Sequence, residues 1–86
     1  MNSGFVVYVQ TEYGRCGYLS KTPIGNKIEE LTANIIDGMN DNVRIFPTLD
    51  AARARIETLE DDFGDYIEYT CVMHYDGQTL ASIENL

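Results

Sequence analysis

The spacing of hydrophobic residues changes along this chain, and each spacing predicts a different element. The segment GFVVYVQ at 4–10 is rich in β-branched and aromatic residues, which is typical of a strand. TEYG then predicts a turn in which Gly14 takes a positive φ, and RCGYLS at 15–20 predicts the returning strand. The chain is therefore expected to open with a β-hairpin. Pro23 and Gly25 predict a loop after it.

Residues 27–37 (KIEELTANIID) are ambiguous. Their apolar residues approximate a helical stripe that Gly38 would end, so we expect a short helix, with an irregular loop as the alternative. The stripe consists of Ile28, Leu31, Ile35 and Ile36. The next segment, GMNDN, predicts a turn, and VRIF at 43–46 predicts a short strand.

The clearest helix is predicted for PTLDAARARIETLED. Thr48 can cap its N-terminus through the hydroxyl group, Asp50 suits the positive end of the helix dipole, and Gly64 suits the C′ position. The apolar residues recur at steps of three and four, which places them on one face. They are Leu49, Ala52, Ile56, Leu59 and Phe63.

Alternation returns at 65–75 (DYIEYTCVMHY), which predicts a strand. One face would carry Ile67, Tyr69, Cys71, Met73 and Tyr75, and the other Glu68, Thr70, Val72 and His74. Asp76-Gly77 is a two-residue hairpin signal, and QTLASI at 78–83 would be the returning strand. The order β-β-(α)-β-α-β-β predicts a single α+β domain over 1–86. Its antiparallel or mixed sheet would carry one main helix on a face.

The distribution of charge along the chain is more informative about function than the net charge is. The chain has 86 residues with 14 acids, six bases and a net charge of −8. Acids and bases balance as far as Ile56, whereas eight acids and no Lys or Arg follow from Glu57 onward. A basic partner or a cation is therefore favoured. Direct binding to nucleic acid is disfavoured because the phosphates would be repelled.

Other features of the sequence limit the cellular location and the kinds of chemistry that we expect. No apolar run approaches the length of a membrane span, and MNSGFVVYVQ lacks the basic region of a secretory signal, so a cytoplasmic protein is expected. Cys16 and Cys71 are expected to be reduced and buried, with a bridge between them as the alternative. His74 has no marked catalytic partner, and DDFGD lacks the ligand spacing of a calcium loop. We expect no enzyme activity, no metal and no cofactor.

The segment ETLEDDFGDYIEY at 57–69 is the strongest candidate for a binding surface. Glu57, Glu60 and Asp61 share a helical face, where like charges repel, and acids near a helix C-terminus oppose the dipole. Such a locally unfavourable arrangement points toward function, although a solvated surface is the alternative. The predicted partner-binding residues are Glu57, Glu60, Asp61, Asp62, Asp65 and Glu68, with Asp76 as a rim charge and Tyr13 and Tyr66 as exposed contacts.

In size, charge and α+β pattern the whole chain resembles small acidic phage-encoded inhibitors, such as anti-CRISPR proteins and other nucleic-acid mimics. VRIFPTLDAARARIETL also resembles a strand–helix unit of short phage and bacterial proteins. The resemblance implies a viral inhibitor in the host bacterial cytoplasm that occupies the basic groove of a nucleic-acid-binding protein, such as a CRISPR effector subunit. The alternatives are a module that self-associates through an edge strand, as a homodimer would, and a small metal-dependent hydrolase.

Overall fold

The structure is a computed structural model that describes residues 3–83, and it has an α+β architecture. The elements in chain order are β1 (Gly4–Thr11), β2 (Cys16–Leu19), α1 (Ile28–Ala33), β3 (Ile35–Ile36), α2 (Leu49–Phe63), β4 (Ile67–Tyr75) and β5 (Leu80–Ser82). A 3-10 helix (Gly64–Tyr66) joins α2 to β4. In this part of the chain the five strands form one antiparallel sheet in the order β3-β2-β1-β4-β5. The predicted fold class and element order are confirmed.

The main helix α2 packs on one face of this sheet. Its N-terminus is capped as the sequence predicts, because the Thr48 hydroxyl accepts a hydrogen bond from the backbone N–H of Ala51 at 3.1 Å. Leu59 and Phe63 are buried against Val7 of β1 and Val72 of β4. Ile56 and Leu49 are partly buried at the margin of the same cluster. The predicted apolar stripe therefore faces the core and fixes which sides of α2 meet solvent.

The opposite face of the sheet is covered in part by the loop between β3 and α2. Val43 from this loop is buried with Val6 of β1 and Tyr75 of β4. Met39 and Ile45 pack at the margin of this second cluster. Gly4 permits the close approach, since a Cβ atom there would lie 2.5 Å from Cγ2 of Ile45. Both faces of the sheet are thus covered, which enlarges the core of a short chain.

The predicted strand at 43–46 is wrong. Only two isolated bridges form there, from Val43 to Ser20 and from Phe46 to Phe5. The segment passes from the end of β2 to the start of β1, so it pairs with each of them at a single position. The third strand is instead β3 (Ile35–Ile36), which follows α1 within the stretch that the sequence left ambiguous.

The predicted faces of β4 need one correction. The register shifts where Gln10 pairs with Tyr69 but Thr11 pairs with Ile67, so the strand is irregular there. The shift turns Ile67 toward α2, where it packs against the same cluster as Val72. Met73 and Tyr75 remain on the other face, as the alternation predicts.

The predicted chain reversals are also revised. Gly64 is the C-cap of α2 with a φ of −52°, so the helix tightens into the 3-10 turn and does not stop at a left-handed glycine. Tyr75 pairs with Leu80, which leaves a four-residue hairpin loop at 76–79 and not the predicted two-residue turn. Gly14 takes the predicted positive φ, at 83°.

The expectation that both cysteines are buried is wrong for Cys16, which is exposed, while Cys71 is half-buried. Both are free thiols. They lie on strands β2 and β4, on either side of β1. Two strand spacings amount to about 10 Å, which is too far for a disulfide between their Cα atoms.

Candidate functional site

The six carboxylates between residues 57 and 69 all lie exposed at one end of the molecule. We call this surface the acidic end: Glu57, Glu60, Asp61 and Asp62 on α2, Asp65 on the 3-10 helix and Glu68 at the start of β4. The chain turns sharply between α2 and β4, because Phe63 is buried and the 3-10 helix reverses the direction of the backbone. This turn brings the helical acids and Glu68 to the same end of the protein.

The acids of α2 do not form a single stripe. Each helical residue is rotated by about 100° from the one before it, so Glu60 and Asp62 leave the axis roughly 160° apart. Asp61 lies two positions from both Leu59 and Phe63, which are buried, so it points away from the core. The acidic end is therefore a convex surface that spreads around the exposed half of the helix.

One flank of the acidic end is a shallow groove between α2 and β4. Glu60 and Glu68 line it together with Tyr69 and Thr70. The hydroxyl of Thr70 donates a hydrogen bond to Oε1 of Glu60 at 3.4 Å, which links the helix to the strand. Two carboxylates from different elements thus face the same open space.

The two tyrosines predicted as exposed contacts are brought together by the fold. The rings of Tyr13 and Tyr66 stack with their centroids 6.0 Å apart and their planes at 24°. The side chain of Tyr13 is 61% exposed and that of Tyr66 is 37% exposed. The backbone N–H of Glu12 donates to the carbonyl oxygen of Tyr66 at 2.9 Å, so the β1–β2 turn is fastened to the acidic end. We call Tyr13 and Tyr66 the tyrosine pair.

Two acids that the sequence argument did not select adjoin the tyrosine pair. Desolvation, followed by the negative charges of neighbours that include Glu12 and Glu29, raises the pKa of the Tyr13 phenol above its usual value. Glu29 also lines a concavity with Tyr13, Arg15, Ile28 and Thr32. Glu12 and Glu29 belong to the part of the sequence in which acids and bases balance. Only the position of the β1–β2 turn beside α1 could have indicated that they belong to the candidate site.

Asp76 lies apart from the other predicted site residues. It follows the last residue of β4, whereas Glu68 is near the first, and the strand between them is about 25 Å long. Its carboxylate accepts hydrogen bonds within the hairpin loop, from Gln78 and Thr79. These bonds lower the pKa of Asp76 below its usual value. In the structure Asp76 closes a turn at the far end of the sheet.

Half of the basic residues line a second groove. Lys21, Arg44 and Arg55 line one groove with residues 19–24, and no carboxylate is among its lining residues. Arg44 lies over the ring of Phe46 at 5.1 Å, and Arg55 donates to the hydroxyl of Thr58 at 2.6 Å. The described residues therefore form a positively charged groove that is distinct from the groove lined by Glu60 and Glu68.

Within residues 3–83, no helix is long and apolar enough to cross a membrane. The same residues contain no group of three or more His, Cys, Asp or Glu side chains placed to hold a metal ion. Comparisons with protein-family models, curated proteins and solved structures give no match for this chain.

Proposed function

We propose that this chain is a non-enzymatic acidic protein that binds a basic surface of a larger nucleic-acid-binding protein and inhibits it. One observation carries the proposal. Among the described residues the only ion pair joins Arg15 to Asp37, at 3.2 Å, so the six carboxylates of the acidic end are exposed and have no Lys or Arg partner. Carboxylates in this state are available to arginine and lysine side chains of another protein.

Four carboxylates of the acidic end lie on α2, and their position there lowers the local stability of the helix. The last turn of the helix contains no basic residue, and Asp61 and Asp62 lie where the dipole is negative. Glu57 and Asp61 are four positions apart, so their like charges repel by a few tenths of a kcal/mol. Arginine or lysine side chains of a partner would remove both penalties, which adds to the affinity.

The acidic end is also held in place before any partner binds. Leu59 and Phe63 are fully buried on the sheet, and Thr48 caps the other end of the helix. The backbone that carries the helical acids therefore needs little ordering on binding, which reduces the entropic cost of association.

The proposed partner is a protein whose basic surface normally contacts phosphates. Carboxylates on the acidic end would occupy the same arginine and lysine side chains, so nucleic acid and this protein would compete. A CRISPR effector subunit is the kind of partner that the resemblance to phage-encoded inhibitors favours.

The alternative of self-association through an edge strand gains little support. The outer strands of the sheet, β3 and β5, contain two and three residues in the described part of the chain. Short edge strands are one of the features by which proteins avoid pairing with another chain.

The test is capture of partners from a bacterial lysate at low salt, with wild type and a charge-reversed variant as bait. The variant carries Glu60→Lys, Asp61→Lys and Asp65→Lys. Proteins retained by wild type, lost with the variant and eluted by short DNA or RNA would support the proposal. Retention of the same proteins by both baits would refute it.

A further inference from the structure

We propose that the tyrosine pair binds an arginine side chain of the basic partner. This inference rests on the proposed function and identifies the chemical group that the acidic surface selects. The expected ligand is a guanidinium group carried by a protein segment, because the tyrosine pair combines exposed aromatic rings with flanking carboxylates.

The tyrosine pair offers an accessible aromatic surface. Tyr13 and Tyr66 are among the few exposed large hydrophobic residues, and each ring already packs against the other. Tyr13 extends this surface into the concavity that it lines with Arg15 and with Ile28, Glu29 and Thr32 of α1. The aliphatic stem of an arginine could lie against Ile28 while its guanidinium group covers a tyrosine ring.

The β1–β2 turn holds Tyr13 in position. The backbone N–H of Thr11 donates to the carbonyl oxygen of Arg15 at 2.8 Å, and Gly14 between them takes a φ of 83°. The turn is tied to Tyr66 through the hydrogen bond from Glu12. An incoming side chain would therefore meet a preformed site and would not have to order a loop.

A resident cation, Arg15, lines the same concavity and is already engaged by other groups. The guanidinium group of Arg15 donates to the carbonyl oxygens of Thr32 and Ile35, at 3.2 and 2.6 Å, and pairs with Asp37. Its charge is balanced by Asp37, so the carboxylates of Glu12 and Glu29 are left for a cation from outside.

Charge and geometry together favour arginine over lysine. A guanidinium group is planar, so it can stack on a tyrosine ring and donate to a carboxylate at its edge at the same time. Glu12 and Glu29 adjoin Tyr13 closely enough that their negative charges contribute to raising the pKa of its phenol. An ammonium group is more strongly hydrated and offers no flat face to the ring.

The experiment uses two synthetic peptides as probes, identical except that one carries arginine and the other lysine at every basic position. Affinities are measured calorimetrically at low salt for wild type and three variants. The first combines Tyr13→Leu with Tyr66→Leu, the second combines Tyr13→Phe with Tyr66→Phe, and the third is the charge-reversed triple variant. Circular dichroism checks that each variant is folded.

Wild type should bind the arginine peptide more tightly than the lysine peptide, by up to about five-fold, because a whole exposed cation–π contact corresponds to about two- to five-fold and lysine keeps only part of it. The leucine variant should lose this preference, whereas the phenylalanine variant, which keeps both rings, should retain it. Equal affinities of wild type for the two peptides, or an unchanged preference in the leucine variant, would overturn the inference.

The charge-reversed variant separates this inference from the proposed function. If reversal abolishes binding of both peptides but wild type shows no arginine preference, the acidic surface stands and only the role of the tyrosine pair is wrong. If wild type binds neither peptide, or if reversal leaves both affinities unchanged, the inference and the proposed function both fail.

Discussion

The carboxylate of Asp76 accepts two hydrogen bonds from Thr79 within the loop between β4 and β5. The Asp76 carboxylate accepts from the backbone N–H of Thr79 at 2.7 Å and from its hydroxyl at 3.0 Å. The backbone N–H of Gln78 donates a third bond at 2.8 Å. These bonds stabilise the charged form of the carboxylate and so lower the pKa of Asp76.

The lowered pKa makes the contribution of Asp76 to stability depend on pH. Because the pKa is lower in the folded than in the unfolded protein, the stabilisation is present above the unfolded value of about 3.9. It is lost as the pH falls through the folded value. Asp76→Asn should therefore weaken the pH dependence of the free energy of unfolding in the acid range. Urea unfolding at a series of pH values measures this change, with Asp41→Asn, at another exposed acid, as the control. An identical pH dependence in wild type and Asp76→Asn would contradict the prediction.

Gly17 of β2 cannot accommodate a side chain. Its φ is 153°, and a Cβ atom would collide with the carbonyl oxygen of Ile36 on the adjacent strand β3. Gly17→Ala should lower the free energy of unfolding by about 2 kcal/mol or more, because the backbone is strained and β3 must move. Gly38→Ala is the matched control, since nothing lies within 4 Å of its Cβ position and its φ is not positive. Urea denaturation of both variants should separate them clearly, and equal stabilities would be inconsistent with the described contact.

The two cysteines should differ in reactivity toward a thiol reagent. Cys16 is exposed on β2, whereas Cys71 is half-buried on β4. In the native protein the Cys71→Ser variant, which keeps Cys16, should be modified faster than the Cys16→Ser variant, which keeps Cys71, because access controls the rate. After unfolding, the two rates should converge. Slower modification of Cys16 than of Cys71 in the native state would contradict the exposure that the fold assigns to them.

The sequence predicted the elements whose hydrophobic spacing is regular. The stripe from Leu49 to Phe63 and the cap at Thr48 are local properties, and both are present in α2. The prediction of a strand at 43–46 was wrong because β-branched and aromatic residues favour burial as well as strand pairing. Val43 and Phe46 are buried beside single bridges. The irregularity at Ile67 depends on pairing with β1, and no local pattern records that register.

The candidate site was predictable to a similar extent. The exposed acids between 57 and 69 follow from composition and helical spacing, and Tyr13 and Tyr66 were selected as exposed residues. Their stacking depends on the β1–β2 turn lying beside the 3-10 helix, which is a tertiary contact. Glu12 and Glu29 could not be added to the predicted site without knowledge of that tertiary contact.

Reversal of charge at the acidic end should leave the protein folded. Glu60→Lys, Asp61→Lys and Asp65→Lys place positive charge near the C-terminus of α2, where it suits the dipole and removes like-charge repulsion. The free energy of unfolding should therefore hold or rise by a few tenths of a kcal/mol per site, as urea denaturation can measure. A marked loss of stability would indicate that these carboxylates make structural contacts beyond the single hydrogen bond from Thr70 to Glu60.

The most direct test of the proposed function compares two single charge reversals against a purified captured partner. Asp61→Lys changes a carboxylate of the acidic end, and Asp41→Lys makes the same change at an exposed acid in the loop between β3 and α2. We predict that Asp61→Lys weakens binding at low salt because the new lysine would face a basic side chain, and that Asp41→Lys binds nearly as well as wild type. If Asp61→Lys binds as tightly as wild type, or if both reversals weaken binding equally, the acidic end is not the interface.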